Sequence, residues 1–231
     1  MRDQSRFSHS TRGVLAVAIF IQSTDSGAHT GIIHHSDGSL HSLDLRWNND
    51  LGSKILTRDR PCVTPSLEPE ETINVLSLCR LIHSRMKDPD PLKQLRIPYA
   101  IRYGGSRFHP SNADIDLGDG YGLTCSTFVL CVFDSAFVPL IDLKDWQKRP
   151  DDAARINQYL NWLETGVGGY PPASAEHIAR FKVDIQRKDC LRVRPEEVAA
   201  AGLFNDTVSF QDVVPAGEWI LSQLQPAHEA N

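Results

Sequence analysis

The chain lacks most of the features that would place it quickly. No apolar run approaches the roughly 20 residues needed to cross a bilayer, so no transmembrane segment is expected. There is no basic excess either: 24 Lys and Arg against 29 Asp and Glu leave a net charge of −5. Without a basic stripe to follow a phosphate backbone, nucleic acid is not an expected partner. Cysteines are few and odd in number: Cys62, Cys79, Cys125, Cys131 and Cys190, with no Cys-x-x-Cys pair. That argues against a disulfide framework and for a reducing compartment. Internal repeats and low-complexity tracts are also missing. What remains is an ordinary globular composition, 41% hydrophobic and 23% charged over 231 residues, enough for one domain or one domain with a small appendage.

Arg2, Arg6 and Arg12 precede the apolar run Val14-Leu-Ala-Val-Ala-Ile-Phe-Ile21, which has the outline of a short signal peptide ending near Gly27-Ala28. The β-branched residues and the polar stop at Gln22 favour a buried strand instead. That reading implies a cytoplasmic protein, or one exported without a cleaved signal peptide. Residues 14–22 are thus a first strand, and His29–His35 and Leu40–Trp47 flank Ser36-Asp-Gly-Ser39 as a hairpin. A loop is expected over 48–69 and a helix over Glu70–Met86, with Ile73, Leu76, Cys79/Arg80 and Ile82/His83 recurring at helical spacing. An irregular loop then covers 98–124, and a helix opens at Cys125. Further helices are predicted near 151–164, 174–181, 195–201 and 215–224, with Pro195 and Pro215 in first turns. The fold class is α+β.

The segment Gly122-Leu-Thr-Cys125-Ser-Thr-Phe-Val129 puts a cysteine in the first turn of an apolar helix. Unsatisfied amides and the positive end of the helix dipole favour thiolate there, and the same amides can receive an oxyanion. Most free cysteines are small buried hydrophobes, and Cys79 and Cys131 read that way.

Pro98-Tyr99-Ala-Ile-Arg-Tyr103-Gly104-Gly105, followed by Gly122-Leu-Thr-Cys125-Ser-Thr-Phe-Val129, resembles the nucleophile region of the NlpC-type papain-like cysteine peptidases. Those enzymes show Pro-Tyr, Gly-Gly and then Asp-Cys-Ser-Gly-Phe-Val. Thr124 stands for the usual Asp and Thr127 for the usual Gly, and two extra residues separate Pro-Tyr from Gly-Gly. The resemblance implies a tyrosine at the oxyanion site, which is either Tyr99 or Tyr103.

A thiolate needs a base that later donates the proton, and histidine suits both tasks. His29-Thr-Gly31-Ile, the Asp-Gly turn and His41 resemble the family's histidine hairpin, here placed before the cysteine. That order resembles the circularly permuted branch, which includes the lecithin:retinol acyltransferase-like proteins. It implies a papain-like antiparallel sheet packed on the nucleophile helix, with residues 1–145 as catalytic core and 146–231 as a helical extension on the same domain. Strand parity bears on what orients His29. With a two-residue turn His29 shares a face with Leu40, Ser42, Asp44 and Arg46. With a three-residue turn it shares one with His41, Leu43 and Leu45. Taking Gly31, Ile33, Leu43 and Leu45 as one apolar face selects the second register and His41, with Asp44 as the alternative. His34 and His35 are expected on the strand surface, and His9, His83 and His109 on surface or loop. His177 reads as helical, and His228 lies in the polar tail.

The expected activity is a cysteine hydrolase acting on an amide or peptide through a thioester, with Cys125 as nucleophile and His29 as base. An acyltransferase or thioesterase on a lipid or other acyl group, or a non-catalytic module on the same scaffold, is the alternative. Permuted members that handle lipids commonly carry a C-terminal membrane anchor, as the resemblance implies. The Gln-Pro-Ala-His-Glu-Ala-Asn ending has none, which favours the hydrolase. The C-terminal helices are expected to shape the cleft or meet a protein partner. No cofactor is expected. A zinc site among His29, His34, His35 and His41 lacks a short ligand motif, and Asp114-x-Asp116-x-Gly118-Asp119-Gly120 lacks the closing Glu of a calcium loop.

Overall fold

The computed structural model describes residues 2–24 and 27–224. His228 and the 225–231 ending lie outside the described residues. The architecture is α+β: a six-stranded antiparallel sheet, a two-stranded ribbon and six α-helices. The strands are β1 (Phe7–Ser8), β2 (Val17–Thr24), β3 (Gly27–Ser36), β4 (Ser39–Trp47), β5 (Asp50–Ile55) and β6 (Cys62–Val63), with β7 (Arg107–Phe108) and β8 (Ile115–Asp116) forming the ribbon. The helices are α1 (Pro69–Met86), α2 (Cys125–Ser135), α3 (Asp152–Thr165), α4 (Ala175–Asp184), α5 (Pro195–Ala201) and α6 (Phe210–Leu224). In space the large sheet runs β1-β6-β2-β3-β4-β5.

The apolar run at 14–21 supplies a strand buried on both faces, since Val17 to Ile21 are all buried. One face, with Val17, Ile19, Ile32, Leu43 and Leu45, joins α1, α2 and α5 in the main core. The other face is closed by the strands' own flanking segments, where Val14, Phe20, Ile33 and Cys62 meet Leu40 and Leu56. Helix α2 is nearly all buried and lies against β3 and β4. All seven residues of α5 are buried, and Val198 to Ala201 share that same core.

Several expectations need correction. The 48–69 loop contains β5 and β6, and the 98–124 loop contains β7 and β8. In α1 the buried stripe is Val75, Leu78, Cys79 and Ile82, while Ile73 is exposed. The true stripe follows i, i+3, i+4, i+7 without a break. Helix α6 starts at Phe210, which puts Pro215 in its second turn rather than its first.

The correction that matters for function is the register of the β3–β4 hairpin. Ser36 pairs with Ser39, so the turn has two residues, Asp37 and Gly38, at φ 50° and 76°. Both central residues lie in the left-handed region, as a type I′ turn demands. His34 therefore faces His41, and Ile33 faces Ser42. Hydrophobicity misled the three-residue assignment because Ile32 and Ile33 are both fully buried. With both faces of β3 covered, burial carries no parity information.

Candidate active site

Thr124 caps α2 in an extended conformation at φ −95° and ψ 176°. Its hydroxyl accepts from the Thr127 amide at 3.1 Å, and the Thr127 hydroxyl accepts from the Thr124 amide at 2.7 Å. This reciprocal capping box satisfies the third helical amide. The first two, of Cys125 and Ser126, have no acceptor within the helix and point out of its end. The departures from the Asp-Cys-Ser-Gly pattern thus form a helix start of their own.

The chain before the cap is held by its backbone. The Leu123 amide donates to Pro98 O at 2.9 Å, and the Ala100 amide donates to Leu123 O at 3.2 Å. A Cβ on Gly122 would sit 2.2 Å from Pro98 O, so this close approach requires glycine. The 98–100 segment is braced in turn by α4, whose His177 Nε2 lies 3.0 Å from Tyr99 O. Arg102 also forms a buried ion pair with Asp184 of α4 at 2.7 Å.

His29 comes from the start of β3 and lines the same cleft as Cys125, close enough that each group's charge stabilises the other's. Its Nε2 is 3.0 Å from Asp44 Oδ2, which leaves Nδ1 as the nitrogen available to sulfur. Burial opposes charge on His29, but the Cys125 and Asp44 charges outweigh it and push the imidazole up to about 10. Burial likewise opposes the Cys125 thiolate. The His29 charge, the Thr30 amide and the Ser126 hydroxyl overcome it and hold the thiol below its ordinary value. Each of the other four cysteines is shifted upward, Cys79 to about 12 and Cys62 and Cys190 to about 11, with burial as the largest cause. All five are free.

Of the expected site residues, Cys125, His29 and Tyr99 come together; His41 and Tyr103 do not. Tyr99 lines the same cleft as Cys125 and His29, with its hydroxyl against Tyr159. Tyr103 instead donates toward Asp134 Oδ2 at 2.7 Å and Ser106 O at 3.1 Å. His41 stacks on His34 at 5.8 Å between ring centroids and meets His83 edge-on at 4.9 Å. His34 and His83 are therefore buried rather than on the surface, while Asp44 takes the place beside His29. Among the described residues no group of three or more His, Cys, Asp or Glu side chains is arranged to hold a metal ion. Asp114 pairs with Arg85 at 2.9 Å, and Asp116 accepts the Gly118 amide at 2.9 Å as part of a turn.

The cleft over Cys125 has a volume of about 690 Å³. Sequence reasoning missed most of its walls. Gln22 stands opposite His29 across the β2–β3 ladder, while Tyr159 and Trp162 of α3 and Tyr170 beyond it come from the C-terminal third. Their spacing in α3, at i and i+3, signals only a helix face. Nothing in the sequence says which surface that face meets. A buried ion network secures α3 to α5, with Arg149 on Glu197 and Arg192 on Asp152 at 3.3 Å. No helix among the described residues is long and apolar enough to cross a membrane. Comparison with protein-family models, curated proteins and solved structures finds none that matches this chain.

Proposed function

We propose that this chain is a cysteine-dependent hydrolase that cleaves an amide or peptide bond through a thioester, on a permuted papain-like scaffold. One observation carries the reading. Among five buried cysteines, Cys125 alone has its thiol held below the ordinary value, against a histidine that is itself held by a carboxylate. That combination, at a helix N-terminus and bordering a cleft of about 690 Å³, is what nucleophilic catalysis by sulfur requires.

In the mechanism this supports, the Cys125 thiolate attacks the substrate carbonyl carbon. The Cys125 and Ser126 amides, without acceptors inside the helix, receive the oxyanion in this reading, and the Gln22 side chain borders the same cleft. His29, charged and held by Asp44, gives its proton to the leaving amine. It then takes a proton from water, and the resulting hydroxide breaks the thioester and returns Cys125 as thiolate. Tyr99 packs on Trp47 with ring centroids 4.5 Å apart and closes one side.

The test needs no known substrate at first. Iodoacetamide at mildly acidic pH should alkylate Cys125 far faster than the other four cysteines, as read by peptide mass spectrometry. His29→Ala should remove that preference. Peptide, isopeptide and thioester substrates offered to wild type and Cys125→Ala then identify the bond cleaved. Unselective alkylation would sink the proposal, and turnover that survives in Cys125→Ala would do the same.

A further inference from the structure

The cleft has two chemically different walls. One is aromatic: Trp47 and Tyr99 meet at 4.5 Å, Tyr99 and Tyr159 at 5.4 Å, and Tyr159 and Trp162 at 5.6 Å between ring centroids. The other wall is basic and comes from the sheet side. Arg46, Lys54 and Arg60 border the cleft, and among the described residues Asp44 is the one carboxylate lining it. Asp44 is already engaged by His29. A chain with a net charge of −5 thus concentrates positive charge at its cleft.

The three cations are not equivalent. Arg46 is paired with Asp50 at 2.6 Å, which offsets its charge. Lys54 and Arg60 have no carboxylate partner among the described residues. The Arg60 guanidinium lies 4.9 Å above the ring of Phe20, whose ring in turn lies 6.0 Å from that of His29. Lys54 stands opposite Ser42 in the β4–β5 ladder, on the strand face that carries Asp44. Two cations without a carboxylate partner among the described residues therefore flank the reacting pair on one side, and a wall of aromatic rings inclined to one another by 35° to 70° flanks it on the other.

Resting on the hydrolase reading above, we infer that the substrate is an acyl compound with an anionic group, carboxylate or phosphate, directed to Arg60 and Lys54, and a flat apolar group against the Trp47–Tyr159–Trp162 wall. A cation at the rim of a cleft, with no carboxylate partner among the described residues, attracts an anion more than one already neutralised by an ion pair does. The exposed faces and edges of these rings, packed on one another at 4.5–5.6 Å, can receive an aromatic group by stacking or edge-on contact and add little hydrogen-bond demand.

Two irreversible probes test this, benzyloxycarbonyl-Glu-fluoromethyl ketone and its Gln counterpart, which differ in charge and hardly in shape. In each, the thiolate displaces fluoride from the methylene carbon and forms a stable thioether on Cys125. The Glu probe should label Cys125 about tenfold faster than the Gln probe, the size of one charge-assisted hydrogen bond. That ratio should shrink as salt is raised, and it should approach one in the Arg60→Gln, Lys54→Gln double variant. Equal rates, or a ratio untouched by salt and by the double variant, overturn the anionic half. An acetyl cap that reacts as fast as benzyloxycarbonyl overturns the apolar half. Either result leaves the hydrolase reading in place, whereas failure of both probes and of iodoacetamide to select Cys125 removes that reading itself.

Discussion

Replacing Asp44 by Asn separates the two residues that compete to orient His29. The carboxylate lies 3.0 Å from Nε2, and the two side chains are 11% and 16% exposed, too buried for solvent to screen the pair fully. At that distance the bare attraction is about 5 kcal/mol for an effective dielectric of 20. Desolvation and competing water cut the net worth of such a charge-assisted bond to about 1.5–3 kcal/mol. Divided by 1.36 kcal/mol per pH unit, this lowers the His29 imidazole by about one to two units. The thiolate–imidazolium form, which in wild type extends up to about 10, should end that much lower in Asp44→Asn. His41→Ala should leave it where it is. The assay is proton NMR titration of the histidine ring, joined to the pH profile of Cys125 alkylation. An unmoved titration in Asp44→Asn would refute the reasoning, and so would an equal shift in His41→Ala.

Three further outcomes are expected. Gly31→Ala places a Cβ 2.6 Å from both the Asp44 Cβ and the Phe20 ring; it should cost about 1–3 kcal/mol in urea unfolding and slow Cys125 alkylation by displacing Asp44. Tyr103→Phe loses the bond to Asp134 and should cost about 1–2 kcal/mol while alkylation is unchanged; a slowed reaction would return Tyr103 to the site. Burial, together with the charges of His41 and His83, pushes His34 from 6.5 down to about 4. Between those values the unfolded chain holds the extra proton, so stability rises with pH and is lost on acidification. From about pH 7.5 to about pH 4.5 this amounts to about 2.5 kcal/mol. Denaturation curves should show that loss in wild type and not in His34→Leu.

Local rules were enough to read the secondary structure where one neighbour decides it. Cys125 at a helix start follows from its apolar face and its polar cap. A hairpin at Asp37-Gly38, though not its turn length, follows from those residue types, and Pro195 marks the start of α5. Cys125 as a candidate was legible for the same reason, since the field at a helix N-terminus is a local effect, whereas His29 was singled out by the resemblance of its hairpin. Short strands at 50–55 and 62–63 were not legible, because β6 has two residues and exists only where β1 and β2 flank it.

The choice between Asp44 and His41 shows where the sequence by itself stopped. It determined that a histidine hairpin precedes a cysteine helix, because alternation and turn residues are properties of neighbouring positions. It did not determine parity, because Ile32 and Ile33 are equally apolar and helices and flanking segments cover both faces of β3. Only the tertiary structure decided that Asp44 meets His29, that His41 belongs to a buried histidine cluster, and that Tyr99 rather than Tyr103 reaches the cleft. The aromatic and basic walls were decided there too. They join residues from 46 to 170, and no local rule spans a contact such as that of Trp162 in α3 with Trp47 in β4.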